Sequence, residues 1–289
     1  MKIAIIGANG RLGAALVREY QRDFEVTSFG RSQLDLGKPD QIRSRLSTIE
    51  FDLLINCAAL TNVDYCESHR EEAFRINAEG PRLLAEVGNE RSAKLVHFST
   101  DYVFDGRKME PYAEEDKAVP LGVYGESKLE GERRVLDVSS QHLVVRLSWV
   151  FGPDKPSFID QIVQRARESD VVTAVADKFS APTYTIDVAS WLRLAVDKDA
   201  NGILHLANNG GCSWQEWAQY AIDVCRSLGL PLKVERVGAV SLADMKNFVA
   251  RRPVHTVLSS AKFTALTGVQ PRHWREAVAD YISAHVSKK

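Results

Sequence analysis

Short apolar runs alternate with segments of helical periodicity through the first half of the chain. Apolar runs that end in glycine or polar residues predict buried strands at 2–6, 25–28, 51–56, 94–98 and 142–147. Apolar residues at helical spacing predict helices at 12–20, 39–46, 70–87 and 121–138. Strands that alternate with helices are typical of βαβ units. We therefore expect a parallel sheet with helices on both faces.

The pattern changes after Val150, where Pro153 and Pro156 interrupt a loop. Beyond it we expect helices at 158–167 and 185–196, strands at 171–176 and 202–206, and mainly helix from Ser213 onward. The fold class is then α/β, with a doubly wound domain over residues 1–150 and a smaller α+β lobe. Residues 151–182 and 209–289 form this lobe, and the segment at about 183–208 returns to the first domain.

Composition and charge favour a cytoplasmic protein that acts on a small molecule. The 289 residues carry a net charge of −1, which gives no basic footprint for nucleic acid or an anionic membrane. The four cysteines show neither a CxxC motif nor metal-ligand spacing, so we expect free thiols and no metal. The first apolar run is too short for a signal peptide, and none approaches the ~20 residues of a membrane span.

Three glycines, Gly7, Gly10 and Gly13, lie between the first predicted strand and the first predicted helix. Glycine allows a tight turn, close approach of a pyrophosphate, and packing of the helix on the strand. Free N–H groups at the helix start then bind the anion. The segment predicts a dinucleotide-binding turn. Its GxxGxxG spacing differs from GxGxxG, so a plain β–α turn remains the alternative.

The end of the second predicted strand indicates which dinucleotide binds. An NAD-preferring site has a carboxylate there, whereas this chain has Arg31 and Ser32 and no carboxylate before Asp35. An arginine fork suits a 2′-phosphate, so we expect NADPH, with NADH as the second option. A solvent-exposed arginine is the alternative. The small residues Ala58 and Ala59, after the third strand, leave room for the cofactor.

Thr100, Tyr124 and Lys128 are the candidate catalytic residues. Thr100 ends the fourth predicted strand, and residues four apart on the following helix share one face, so all three can reach one site. A neighbouring lysine cation, helped by a cationic nicotinamide after hydride transfer, stabilises a phenolate and should lower the tyrosine pKa from its usual value of ~10. Tyr124 could then protonate a carbonyl oxygen that Thr100 holds in place. A chance Tyr–Lys pairing on a solvated helix is the alternative.

The same helix contains Glu126, Glu130 and Glu132, which we expect on its solvent face. Gly131, between two of them, should let the helix pack closely against a neighbour.

Six segments together resemble the extended short-chain dehydrogenase/reductase superfamily, and within it the dTDP-4-dehydrorhamnose reductase family. They are GANGRLG, NCAALTNVDYCE, FSTDYVFDG, YGESKLEGE, RLSWVFG and FSAPTYTIDVA. The likeness continues through RRPVHTVLSS to HWREAV and so covers nearly the whole chain. It implies an N-terminal Rossmann domain that binds NADP and a C-terminal lobe that binds a nucleotide sugar.

The resemblance also implies a reaction and its binding residues. The reaction is NADPH-dependent reduction of the 4-keto group of a 4-keto-6-deoxy sugar nucleotide, dTDP-4-dehydrorhamnose giving dTDP-rhamnose. The residues implied at the cofactor are Gly10, Arg11 and Leu12 at the pyrophosphate, Asp35 and Leu36 at the adenine, and Ala59, Leu60, Thr61 and Phe98 at the ribose and nicotinamide. Those implied at the substrate are Asp101, Tyr102 and Trp149.

Departures from the family leave the sugar undetermined. The family more often has Asn-Phe where this chain has Ser157-Phe158, and Asp-Gln where it has Asp177-Lys178. Lys178, which stands where the family more often has glutamine, either contacts a diphosphate or lies in solvent. Arg252, in a matching RRP segment, binds the substrate or forms a structural salt bridge.

Three other functions occur on the same fold. A dehydratase usually has Asp-Glu after the threonine, but here Tyr102 follows Asp101, which argues against dehydration. A sugar-nucleotide epimerase uses the same Tyr–Lys pair. A non-catalytic NADP-binding subunit, like the regulatory subunit of methionine adenosyltransferase, would keep the fold. A homodimer also stays open.

Overall fold

The computed structural model describes residues 1–286 of the chain. The first half contains, in order, β1 (Lys2–Ile6), α1 (Arg11–Tyr20), β2 (Glu25–Phe29), α2 (Pro39–Ser47), β3 (Leu53–Asn56), α3 (Val63–Ser68), α4 (Arg70–Phe74), α5 (Gly80–Glu90), β4 (Lys94–Thr100), α6 (Val123–Val138) and β5 (Leu143–Leu147). The second half contains β6 (Val150–Phe151), α7 (Phe158–Glu168), β7 (Thr173–Val175), β8 (Phe179–Ser180), β9 (Thr183–Tyr184), α8 (Thr185–Asp197), β10 (Gly202–His205), β11 (Cys212–Ser213), α9 (Trp214–Ser227), β12 (Gly238–Val240), α10 (Ala261–Thr267) and α11 (Trp274–Tyr281). Short 3₁₀ turns lie at Asp101–Val103 and Leu242–Asp244, and π-helical turns at Arg75–Glu79 and Ile282–Val286.

Six strands form one parallel sheet in the order β10-β5-β4-β3-β1-β2. The chain moves outward from β1 to β2 and then returns past β1 to β3, so the direction of winding reverses there. The carboxyl ends of β1 and β3 consequently border a crevice, which is where ligands bind in sheets of this kind. The predicted α/β class with a parallel Rossmann-type sheet is confirmed.

Apolar side chains cover both faces of this sheet. One buried cluster joins α1 and α8 to the sheet through residues such as Leu16, Ile55 and Leu192. A second cluster joins α2 and α5 to the opposite face through residues such as Ile42 and Leu84. Because the central strands are buried on both faces, their sequences form continuous apolar runs, which is why they could be predicted.

The helix predicted over 70–87 is interrupted, which corrects that prediction. The π-helical turn at Arg75–Glu79 separates α4 from α5 where α6 comes close. A Cβ atom on Gly131 of α6 would collide with the Asn77 carbonyl oxygen, so the glycine permits the close packing expected of it. The Asn77 side chain accepts the Leu60 N–H at 2.8 Å and donates to the Leu60 carbonyl at 3.0 Å. The turn therefore holds the segment that follows β3.

The second half is less helical than the sequence suggests. Helices α7, α9 and α11 pack around an aromatic cluster that includes Trp217 and Tyr281. The prediction of mainly helix from Ser213 is wrong for residues 229–260, which hold β12 and irregular backbone. This segment pairs with β7 and with the backbone of Phe179, so tertiary hydrogen bonds rather than local periodicity determine its conformation.

One strand of the second half joins the first sheet. β10 pairs in parallel with β5 at the sheet edge, in register from Gly202 with Leu143 to His205 with Arg146. The division of the chain into two domains stays a prediction.

Two kinds of feature can be excluded for residues 1–286. That part of the chain has no helix with the length and hydropathy needed to cross a bilayer. It also holds no group of three or more His, Cys, Asp or Glu side chains arranged to bind a metal ion.

Candidate active site

A cleft of about 550 Å³ opens at the carboxyl ends of β1 to β4. It is lined by most of the residues that the sequence singles out, namely Gly7, Gly10, Arg11, Leu12, Arg31, Asp35, Leu36, Ala58, Ala59, Leu60, Thr61, Phe98, Thr100, Asp101, Tyr102, Tyr124, Lys128 and Trp149. Three of the predicted site residues lie outside the lining: Gly13, Ser32 and Arg252. The lining also includes residues that were not chosen from sequence, namely Asn9, Leu34, Cys57, Val63, Ile76, Ser99, Leu147, Val150 and Lys155.

The glycine turn after β1 packs closely against the backbone that follows β3 and against the start of α1. Gly7 has a φ of 80°, in the left-handed region, and a Cβ atom there would lie 2.7 Å from Ala58 N. Gly13 is buried against the Gly7 carbonyl, so its role is to pack α1 on the turn. α1 begins after Gly10, which supplies no capping side chain. The first N–H groups of α1 are available to a pyrophosphate, so these residues fit a dinucleotide.

The Arg11 side chain holds the loop at 150–156 against the start of α1. Its guanidinium donates to the carbonyl oxygens of Val150 and Lys155 at 3.2 Å and of Pro156 at 2.5 Å. Burial lowers the pKa of Arg11. These contacts place the exposed Lys155 at the rim of the cleft, beside the glycine turn.

Arg31 lies at the other end of the cleft, just after β2. Its side chain is 72% exposed, and its Nε lies 3.6 Å from Asp35 Oδ2. The other Asp35 oxygen accepts the Gly37 N–H at 2.9 Å, which fixes that carboxylate in a turn. An exposed guanidinium at this position is available to a phosphate group on the adenine ribose.

Thr100 and Tyr124 meet where β4 ends and α6 begins. Thr100 Oγ1 donates to Asp101 Oδ1 at 3.1 Å, and the Tyr124 ring meets Tyr102 edge-on at 5.7 Å. Burial raises the pKa of Tyr124, and a hydrogen bond with Thr100 works against the rise. In the protein alone desolvation therefore keeps the pKa of Tyr124 high, and the lowering expected from Lys128 together with an oxidised nicotinamide stays a prediction. The phenol stays protonated at neutral pH.

Lys128 follows one helical turn after Tyr124, and its side chain is buried. Its Nζ donates to the Phe98 carbonyl at 2.6 Å and lies 3.3 Å from His97 Nε2. Burial lowers the pKa of Lys128 to about 8, and the Glu132 charge acts in the opposite direction. The structure thus places the predicted Tyr–Lys pair on one face of α6, with a lysine that loses its proton far more readily than usual.

Glu132 is buried, which corrects its expected position on the solvent face of α6. Its carboxylate binds the Arg146 guanidinium of β5 at 2.7 Å, and both side chains are at most 3% exposed. It also accepts a short hydrogen bond from Ser99. Helical periodicity could not reveal this position, because the partner that compensates the charge comes from another element. The ion pair supports the end of β4 beside Thr100.

Asp101 is buried next to the catalytic candidates. Its carboxylate accepts hydrogen bonds from Ser180 Oγ at 3.1 Å and from Thr256 Oγ1 at 2.5 Å, in addition to the one from Thr100. Burial raises the pKa of Asp101, and the charge of Lys178 opposes the rise. Asp101 therefore connects the end of β4 to two segments of the second half.

Lys178 is completely buried, which excludes the alternative in which it lies in solvent. Its Nζ donates to the Pro253 carbonyl at 2.6 Å and lies 4.9 Å from the Tyr102 ring centroid and 5.9 Å from that of Trp149. Burial lowers the pKa of Lys178 to about 8. The lysine thus lies behind two aromatic residues of the cleft lining.

Trp149 is held in an unusual conformation at the cleft. Its φ of 39° lies in the left-handed region, where residues other than glycine are uncommon. Its ring stacks on Trp217 at 5.7 Å, and its buried Nε1 has no hydrogen-bond partner among residues 1–286. Buried donors are normally paired, so an indole N–H at this position suits a polar ligand.

Arg252 forms a salt bridge with Asp64 and does not line the cleft. Its guanidinium donates to both Asp64 oxygens, at 2.9 and 2.5 Å, and stacks over the Phe248 ring at 3.8 Å. The side chain is 7% exposed. The structure thus shows a salt bridge at Arg252, and its role in substrate binding stays a prediction.

Known proteins resemble this chain over nearly its whole length. A dTDP-4-dehydrorhamnose reductase of Sinorhizobium fredii is 33% identical, and the match covers 96% of this chain and 95% of that protein. The spore coat polysaccharide biosynthesis protein SpsK of Bacillus subtilis is 31% identical over 99% of this chain and 98% of its own length.

Solved structures agree with these sequence matches. The dTDP-4-dehydrorhamnose reductase of Bacillus anthracis, solved in complex with NADP, has a TM-score of 0.91 at 30% identity and covers 98% of this chain and 99% of that one. A UDP-glucose 4-epimerase of Thermotoga maritima, 16% identical with a TM-score of 0.81 over 98% of this chain and 99% of that one, shares the fold. The sequence profile of the RmlD substrate binding domain family matches residues 1–287. The chain belongs to the RmlD substrate binding domain family.

Proposed function

We propose that this protein catalyses the NADPH-dependent reduction of the 4-keto group of a 4-keto-6-deoxy sugar nucleotide, converting dTDP-4-dehydrorhamnose to dTDP-rhamnose. The observation that carries the proposal is one cleft that contains both a dinucleotide-type glycine turn and Thr100, Tyr124 and Lys128. The reductases that match this chain nearly end to end supply the substrate class.

NADPH fits the cleft and supplies the hydride from its nicotinamide C4. The free N–H groups at the start of α1 would bind its pyrophosphate, and Gly7 and Gly10 form the turn that precedes them. The N–H groups of Gly7 and Gly10 themselves donate to the carbonyl oxygens of Phe29 and Gly7. Arg31 binds the 2′-phosphate, which accounts for NADPH rather than NADH. The NADP complex of the Bacillus anthracis reductase supports this choice.

Tyr124 gives a proton to the sugar O4 oxygen as the keto carbon becomes an alcohol. Its raised pKa keeps the proton on the phenol until an oxygen of higher basicity forms beside it. Thr100 hydrogen-bonds the same oxygen and holds it near the phenol. Lys128 lies one helical turn from Tyr124. Its amine would hydrogen-bond the cofactor ribose and influence the pKa of the phenol. Asp101, Tyr102 and Trp149 surround the sugar.

A panel of sugar nucleotides tests this function. We expect the purified protein to oxidise NADPH when it receives dTDP-4-dehydrorhamnose, and to do so with higher kcat/KM than with NADH. The absorbance of NADPH reports the rate, and NMR of the product reports the alcohol at C4.

Two results would contradict the proposal. Absence of turnover with every 4-keto sugar nucleotide, together with a stable complex with another protein, would indicate a binding subunit. Inversion of a sugar centre without net consumption of NADPH would indicate an epimerase. The homodimer stays a prediction, which sedimentation would test.

A further inference from the structure

Two arginines of α1 hold segment 150–156 against that helix. Each of the three nitrogens of the Arg11 guanidinium donates to a backbone carbonyl of the segment. The acceptors are the carbonyl oxygens of Val150, Lys155 and Pro156, at 3.2, 3.2 and 2.5 Å respectively. Two turns further along α1, Arg18 forms an ion pair with Asp154, and both of these side chains are partly buried. The segment is therefore fixed at several points along its length.

The Arg11 side chain supports this segment rather than pointing a free donor group at a ligand. All of its guanidinium nitrogens already have carbonyl partners in the protein, and the side chain at the start of α1 is turned toward segment 150–156. An arginine that binds a phosphate group directs two N–H donors at the phosphate oxygens. Another cation is therefore better placed to meet a phosphate at this end of the cleft.

That cation is the lysine that the segment carries. The cationic side chains that line the cleft are those of Arg11, Arg31, Lys128 and Lys155. Arg31 lies after β2, and the buried Lys128 donates to the Phe98 carbonyl beside the catalytic candidates. Lys155 is exposed at the rim next to the glycine turn, and the adjacent Asp154 is already paired with Arg18. Its amine is thus available to an anion bound there.

The glycine turn alone offers a pyrophosphate few donors. The Gly7 N–H donates to the Phe29 carbonyl at 2.8 Å, and the Gly10 N–H to the Gly7 carbonyl at 2.9 Å. Hydrogen bonding within α1 begins where Ala14 donates to the Gly10 carbonyl, so the N–H groups just before Ala14 are those left for a ligand. A dinucleotide pyrophosphate has an ionised oxygen on each phosphorus, whereas a helix N-terminus supplies about half a positive charge. A lysine beside the turn would balance the remaining charge.

We propose that Lys155 binds the pyrophosphate of the nicotinamide cofactor and that Arg11 is a positioning residue that holds Lys155 at the glycine turn. The inference rests on the proposed function, because it assumes a nicotinamide dinucleotide in this cleft. The pyrophosphate is common to NADPH and NADH. Lys155 therefore acts on both cofactors alike, whereas Arg31 meets a phosphate that only NADPH has.

Equilibrium binding of ligands that contain or lack a pyrophosphate tests the role of Lys155. Isothermal titration calorimetry would give the Kd of NADPH, NADH and 2′-AMP for the wild type and for Lys155→Gln. We expect Lys155→Gln to raise the Kd of both dinucleotides by about 5- to 20-fold, as for a partly exposed charge-assisted contact. The Kd of 2′-AMP, which has no pyrophosphate, should stay unchanged. Equal dinucleotide Kd values in Lys155→Gln and the wild type would overturn the proposal.

Two further lysine variants separate the charge at this position from a general loss of positive charge. Lys155→Arg keeps the cation and should retain most of the wild-type affinity for both dinucleotides. Lys198→Gln is the matched control, because it removes an exposed lysine directly after α8, outside the cleft lining. It should alter none of the Kd values. Equal losses of affinity in Lys198→Gln and Lys155→Gln would contradict a specific contact.

Binding of dTDP distinguishes the cofactor pyrophosphate from the diphosphate of a sugar nucleotide. We expect Lys155→Gln to leave the Kd of dTDP unchanged. A larger loss of affinity for dTDP than for the dinucleotides would assign the lysine to the substrate and overturn the proposal. These measurements need no turnover, so the assignment can fail while the proposed activity stands. A wild-type protein that binds neither NADPH nor NADH would contradict the proposed function as well.

A double-mutant cycle tests whether Arg11 acts through Lys155. We expect Arg11→Ala to weaken the binding of both dinucleotides, because segment 150–156 loses three hydrogen bonds to the side chain. If Arg11 positions the lysine, adding Lys155→Gln to Arg11→Ala should cause little further loss of affinity. Losses that add fully in the double variant would show that the two residues act independently and would overturn the positioning role of Arg11.

Discussion

At the scale of single residues, burial determines the protonation state of the site. Tyr124 and Lys128 are both buried, and desolvation opposes charge on each of them. The tyrosine is therefore held as a neutral phenol and the lysine loses its proton readily. In the folded protein the pair is a neutral phenol beside a lysine whose pKa of about 8 leaves it mostly an ammonium at pH 7.

Replacing Tyr124 by phenylalanine should remove the proton donor and little else. We expect kcat for NADPH oxidation to fall about 10²- to 10⁴-fold while the substrate KM and the thermal unfolding midpoint stay close to wild type. Tyr220→Phe, on α9 and distant from the cleft, is the matched control and should keep full activity. Near-normal kcat in Tyr124→Phe would remove this residue from the mechanism.

Arg31 should determine the choice of cofactor. Loss of a charge-assisted contact to the 2′-phosphate in Arg31→Ala should raise the KM for NADPH about 10- to 100-fold and leave the KM for NADH nearly unchanged. Arg22→Ala removes a similarly exposed arginine just after α1, outside the cleft lining, and should alter neither value. Equal changes in the KM for NADPH and for NADH in Arg31→Ala would show that the arginine does not bind the 2′-phosphate.

At the scale of elements, one buried face of α6 holds both the candidate catalytic side chains and a structural ion pair. Tyr124 and Lys128 face the cleft, and Glu132 continues this buried face by one further turn into the ion pair with Arg146. Glu130 lies on the outer side with Arg133 and Arg134. The helix is thus anchored to β5 by the buried charge pair and to β4 by the Ser99 hydrogen bond, two turns from Tyr124.

Glu132→Gln should therefore destabilise the protein strongly. Removing one partner leaves the Arg146 charge buried and unpaired, which costs about 3–5 kcal/mol of unfolding free energy. Glu130→Gln changes the same side chain on the outer face and should cost at most about 1 kcal/mol. Chemical denaturation measures both values, and similar losses in the two variants would contradict the assigned role of Glu132.

At the scale of the whole molecule, hydrogen bonds between distant segments join the two halves of the chain. Asp64 at the start of α3 accepts the N–H groups of Val249 and Ala250 at 2.8 and 2.9 Å, as well as the Arg252 guanidinium. These bonds, led by the one from Arg252, lower the pKa of Asp64 to about 2. The carboxylate thus ties the loop that precedes Pro253 to the first half of the chain.

Asp64→Asn should reveal this link through its pH dependence. A lowered folded-state pKa stabilises the protein above the unfolded value of ~3.9, and that stabilisation disappears as the pH falls toward 2. We expect the variant to lose about 1–2 kcal/mol at neutral pH, after allowance for solvent screening, with the difference shrinking below about pH 4. Asp40→Asn, at an exposed position in α2, should show no such pattern. A constant difference at all pH values would exclude the ion pair as its cause.

Local patterns predict much of this fold and site. Apolar runs locate the parallel strands, glycine spacing locates the dinucleotide turn, and helical spacing places Tyr124 and Lys128 on one face. The features missed depend on partners distant in the chain. Nothing near Glu132 or Lys178 shows that Arg146 and the Pro253 carbonyl will accompany them into the interior. For the same reason the sequence does not show that the Arg11 guanidinium brings Lys155 to the rim of the cleft.

Transfer of an isotopic label tests the central claim most directly. NADPH with deuterium on the transferred side of nicotinamide C4 would be incubated with the protein and dTDP-4-dehydrorhamnose, and the product examined by NMR. The account predicts one deuterium per turnover at sugar C4, and no label transfer in Tyr124→Phe at comparable times. Product without deuterium at C4, or deuterium at another carbon, would contradict hydride transfer to the 4-keto group.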